Sequence, residues 1–135
     1  MPIGSTFQNY PELNIGAVIS VGAEAADVIN VAIQLIDKDN GNEVAERIGL
    51  LFYLASNSTG DAKASAPAGG IAIGTDGLLI ELEANVSGFL ITENDGDADI
   101  NLTNAGAGTF YLVVIMPDGE LYVSSAITFN AATGS

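Results

Sequence analysis

Residues 92–129, TENDGDADINLTNAGAGTFYLVVIMPDGELYVSSAITF, alternate apolar and polar side chains through three successive runs. Ile100 and Leu102 stand between polar neighbours. Phe110, Leu112, Val114 and Met116 form a second row, and Leu121, Val123, Ser125, Ile127 and Phe129 a third. A period of two marks strands with one face in a core. Pro117-Asp118-Gly119-Glu120 separates the last two rows; Pro presets φ and Gly tolerates a positive φ, so the tetrad predicts a turn. Pairing Met116 with Leu121 sets Val114 opposite Val123, Leu112 opposite Ser125 and Phe110 opposite Ile127, so core residues meet on one side throughout. On the other side Ile115 then opposes Tyr122 and Tyr111 opposes Ala126.

Working outward, the same period recurs at Ile15, Ala17, Ile19 and Val21, at Ile29, Val31, Ile33 and Leu35, and at Ile48, Leu50, Phe52 and Leu54. An amphipathic helix over residues 43–50 competes with the last of these, but Phe52 and Tyr53 favour strand. Dense turn chemistry at residues 37–42 ends the second element. Residues 57–70, small, polar and rich in Gly, Ala and Ser, predict a long exposed loop. Short elements follow near residues 71–73, 78–83 and 89–92. These features predict an all-β fold, an immunoglobulin-like β-sandwich of about seven to nine strands over residues 14–130. An extended amino-terminal arm at 1–13 and a carboxy-terminal tail at 131–135 flank it.

The final strands resemble those of bacterial immunoglobulin-like domains of invasin-type adhesins. Thr92, Asp95-Gly96, Ala98, Leu102-Thr103, Ala107-Gly108-Thr109-Phe110 and Ile127-Thr128-Phe129 carry the likeness. Over residues 28–129 the layout VINVAIQL, DKDNGNEVAER, LLFYLAS, GGIAIGTDG, ITENDGDADI and GTFYLVVIMPDGELYVSSAITF also resembles small structural proteins of tailed bacteriophages. That second resemblance implies a component of the virion.

Composition removes many functions. The chain has no Cys, His or Trp, so disulfides, thiolate metal sites and the commonest general base are absent. Lys38, Arg47 and Lys63 face seventeen Asp and Glu, a formal net charge of −14. No basic patch can track phosphates, so no nucleic-acid partner is expected. The amino terminus lacks the basic and apolar regions of a signal peptide, and no apolar run reaches membrane-spanning length. Synthesis in the cytoplasm and no membrane partner are the expectations.

Asp95, Asp97 and Asp99 invite a Ca²⁺ reading, but an EF-type loop starting at Asp95 would need Gly and Glu where Ile100 and Gly106 stand. An acidic turn leading into a solvated strand face is the simpler expectation. Seventeen acids make some glycosidase-like pair inevitable by chance. The sequence therefore predicts no catalytic, cofactor-binding or metal residues and no enzyme activity.

The stronger signal is apolar. Tyr111, Val113 and Ile115 occupy the outward parity of their strand, Tyr122 continues them in the register above, and Leu51 and Tyr53 extend them if their strand is a neighbour. A broad exposed apolar patch marks an interface; cover by the 57–70 loop or the arm is the alternative. Ile3, Phe7 and Tyr10 in the arm are candidate anchors. The expected function is that of a capsid decoration or cement protein on the outer surface of a phage head. It would bind the major capsid protein and assemble as a homo-oligomer, a trimer or dimer. The alternative is a receptor- or glycan-binding module on a head fibre, tail or cell surface.

Overall fold

The computed structural model describes residues 14–130. The arm with Ile3, Phe7 and Tyr10, and the tail at 131–135, lie outside the described residues. Ten strands follow one another: β1 (Ile15–Val21), β2 (Val28–Asp37), β3 (Gly49–Ala55), β4 (Gly70–Ile73), β5 (Leu78–Glu83), β6 (Ser87–Ile91), β7 (Asp97–Thr103), β8 (Gly108–Ile115), β9 (Leu121–Val123) and β10 (Ile127–Phe129). There is no helix among the described residues. Residues 43–48 are irregular, and Ile48 N–H donates to Thr92 Oγ1 at 2.9 Å.

Two antiparallel sheets pack face to face as a β-sandwich. One has the order β1-β2-β7-β4. The other runs β10-β8-β3-β6-β5, with β9 also paired to β8. Three of the inward rows predicted from the alternation form the core: Ile29, Val31, Ile33 and Leu35 meet Leu50, Phe52 and Leu54 together with Leu112, Val114 and Met116. The row begun at Leu121 does not hold in its first half, since Leu121 is exposed and neither it nor Val123 joins the core. Each such aliphatic side chain contributes about 1.5–3 kcal/mol by leaving water. Phe110 lies at the margin of this core, edge-on to Phe129 with ring centroids 6.0 Å apart.

The hairpin register differs from expectation by one residue over its first half. Ile115 pairs with Leu121, Val114 with Tyr122 and Val113 with Val123, whereas Phe110 pairs with Ile127 as expected. The cause lies at two places. Gly119 N–H closes a turn onto Met116 C=O at 2.8 Å, and Gly119 itself takes φ 90°, so the connection is one residue tighter than the tetrad suggests. Ser124 then absorbs the compensating residue. Its N–H donates to Leu112 C=O at 2.8 Å, and its Oγ accepts from Leu112 N–H at 2.9 Å, standing in for a backbone carbonyl. The expected single last strand is thereby split into β9 and β10.

Candidate interaction face

Every strand of the larger sheet turns its alternate residues outward, and the registers align those residues into rows. Leu121 pairs with Ile115, Ile115 with Leu51, Leu51 with Phe89, and Phe89 with Ile80. One continuous apolar row therefore crosses β9, β8, β3, β6 and β5. Leu121 is 46% exposed, Leu51 41%, Phe89 38% and Ile80 46%. Beside it, Leu78 pairs with Ile91 and Ile91 with Gly49, which extends the apolar surface at one border. No position of the main row is ionisable, although the chain carries seventeen acids.

The opposite border is closed by the protein itself. Gly60 adopts φ 79° and packs so tightly that a Cβ there would lie 3.2 Å from Val113 and 3.3 Å from Val123. Tyr53 Oη donates to Gly60 C=O and fixes the turn in place. The 57–70 segment is thus no simple exposed loop: its first turn caps the sheet, and Ala64 and Pro67 are buried.

The predicted site residues separate accordingly. Leu51, Tyr53, Tyr111, Val113 and Ile115 do lie on one face, and β3 is the neighbour of β8 that the extension required. Leu51 and Ile115 stand in the row. Val113 does not meet solvent, at 0% exposure, because Gly60 covers it. Tyr53 and Tyr111 are half-buried. Tyr122 is a correction: opposite Val114, it faces inward and packs against the core. Its hydroxyl reaches over Gly16 of β1, where an added Cβ would lie 2.6 Å away.

Leu78, Ile80, Phe89 and Leu121 were missed as outward residues. A signal existed for three of them, since Leu78-Leu79-Ile80 and Phe89-Leu90-Ile91 are apolar at both parities, as are Leu50-Leu51-Phe52 and Leu112-Val113-Val114. Runs apolar at both parities belong to strands that meet apolar surroundings on both sides.

The outer side of the smaller sheet is chemically different. Asp99 accepts from Asp76 N–H at 2.7 Å, Thr75 N–H at 3.0 Å and Asn30 Nδ2 at 2.6 Å. Burial alone would raise its pKa, but these hydrogen bonds hold it below the usual carboxylate range. Asp97 is in the opposite condition. Burial, then a hydrogen bond with Asp95, then the charges of Asp76, Asp95 and Glu93 push its carboxyl up to about 6. Its Oδ1 is buried without a partner.

The sequence triple Asp95, Asp97 and Asp99 is therefore divided. Asp95 accepts from Asp97 N–H in its own turn, Asp99 is satisfied by the 75–76 backbone, and Asp97 instead meets Asp76 and Glu93. Those three offer carboxylate oxygens within 4.8 Å of one another, the only grouping among the described residues with the spacing to hold a cation. Asp76, Asp97 and Asp99 also border a shallow cleft of about 350 Å³ with Ser20, Asn30 and Gln34. Compared with protein-family models and with curated proteins, the sequence matches none.

Proposed function

We propose that this chain is a non-catalytic assembly protein that acts by adhesion, and in its most concrete form a decoration or cement protein on the outer surface of a tailed-phage head. One observation carries the adhesive role: an uncharged apolar row crosses five strands of a strongly acidic protein. The largest contiguous apolar patch on a protein surface is often functional, marking contact with another molecule. The acidic remainder suits a surface turned toward solvent and away from packaged DNA, itself a polyanion.

The viral assignment draws on the likeness of residues 28–129 to phage structural proteins. The pairing of β3 with β8 fits the C and F strands of an immunoglobulin-like sandwich and supports that narrower fold name.

Mass spectrometry of purified particles, followed by add-back to particles lacking the protein, tests the proposal. Wild type should bind at regular occupancy, and Leu51→Asp and Phe89→Asp should not. Absence from particles, combined with binding on glycan or cell arrays, would replace decoration with a receptor-binding role.

A further inference from the structure

We infer that the occupant of the apolar face is a second copy of this chain, packed sheet to sheet about a two-fold axis that runs along β3. A second copy is the occupant only if the adhesive role proposed above holds for this face. Three properties of the row point to it.

The row is balanced about its middle. Leu51 on β3 has two apolar positions on either side, Ile115 and Leu121 toward β9, Phe89 and Ile80 toward β5. A dyad along β3 therefore stacks Leu51 on its own counterpart, Ile115 on Phe89 and Leu121 on Ile80. Every contact is apolar on apolar, as an isologous interface requires.

Size is adequate for a weak, specific dimer. Five strands about 4.8 Å apart, with about 20 Å of exposed strand length, give roughly 450 Å² a side. Two copies face to face bury roughly 900–1,000 Å², where specific interfaces begin.

Charge excludes a strongly ionic partner. The row has no ionisable side chain, and the pair at its border, Lys63 Nζ with Glu83 Oε1 at 2.8 Å, is already neutralised. Two copies, each of formal charge −14, repel at long range. Salt screens that repulsion and leaves the apolar contact intact. Association should therefore tighten as salt is added, opposite to the response of an acidic protein binding a basic partner.

Sedimentation equilibrium on the full chain tests the assignment, over micromolar to millimolar protein and from 20 to 500 mM NaCl. Wild type should form dimers whose dissociation constant falls by about threefold or more across that salt range. Leu51→Asp and Phe89→Asp should each weaken dimerisation by at least tenfold while retaining the wild-type melting profile. Val18→Asp, at an exposed apolar position on the other sheet, should leave it unchanged. A wild type monomeric throughout overturns the inference, as does equal weakening by Val18→Asp, or association that weakens with salt. If that monomeric wild type still needs Leu51 to attach to particles, the adhesive role stands with another occupant. If dimers form through the face and particles are not bound, the dimer stands and decoration falls.

Discussion

The two outer faces of the sandwich obey the same alternation and bury equivalent inner rows, yet their exposed chemistry is opposed. On the smaller sheet, outward Asn30, Asp99 and Asn101 bond to one another and to the 75–76 backbone, so the surface polar groups are part of what fastens the fold. On the larger sheet, outward Leu121, Ile115, Leu51, Phe89 and Ile80 stand next to one another in register, and among the described residues their side chains make no hydrogen bond. One outer face thus contributes to stability, and the other is the one to which the proposed adhesive role is assigned. Substitutions on the first should change folding, and substitutions on the second should change assembly.

The largest expected effect sets the scale for both faces. Phe52→Ala, inward on β3, should cost about 3–5 kcal/mol in denaturant titrations, while its outward neighbour Leu51→Ala costs about 1 kcal/mol or less. Near-equal values would mean that the parity of β3 is inverted. Asp99→Ala should cost about 2–4 kcal/mol, because two backbone N–H groups and the Asn30 amide lose a charged acceptor. A loss below about 1 kcal/mol would make the polar face as idle for stability as the apolar one. Ser124→Ala, which strips Leu112 N–H of its partner, should cost about 1–2 kcal/mol, with faster amide exchange at Leu112 as the local readout.

Asp97 gives a smaller effect of opposite sign. Its folded-state value of about 6 stands above the unfolded 3.8, so across that window the folded protein keeps a proton the unfolded chain has released. The stability this provides is complete below the unfolded value and is lost as pH rises toward 6. Asp97→Asn should then be more stable than wild type by about 1 kcal/mol at pH 7.5, with no difference near pH 4. Asp99, held low, contributes in the reverse sense, its stability present at neutral pH and lost on acidification. Paired melts at the two pH values separate them. Smallest of all, Phe89→Ala or Ile80→Ala should move the monomer's stability by about 0.5 kcal/mol or less; a larger loss in dilute solution would show that the apolar face serves the fold.

Strand parity was legible in β2, β3 and β8, where the alternating run stays within one regular strand, because burial on one side imposes that period. The β8–β9 register was not. It turns on Gly119 closing the turn early and on a serine hydroxyl replacing a carbonyl, and neither leaves an apolar signature. That single residue sent Tyr122 to the wrong face. The cap over Val113 was equally hidden, since Gly60 is one small residue in a small, polar loop and only its approach to Val113 and Val123 identifies it. The fate of Asp99 depended on residues 75–76, distant in sequence and unremarkable in composition.

The pairings at the middle of each sheet also govern how quickly the molecule assembles. Val28 lies opposite Thr103 and Leu51 opposite Ile115, so both central ladders join remote parts of the chain, while β1–β2, β5–β6 and β8–β9 are local hairpins. The hairpins form in about 1–10 μs, whereas a sandwich closed by remote pairings folds in roughly milliseconds to seconds. Until β8 pairs with it, β3 has an unpaired edge open to any neighbouring chain. Refolding yield should accordingly decline as protein concentration rises, and a growing polypeptide remains exposed in this way until β8 has been synthesised.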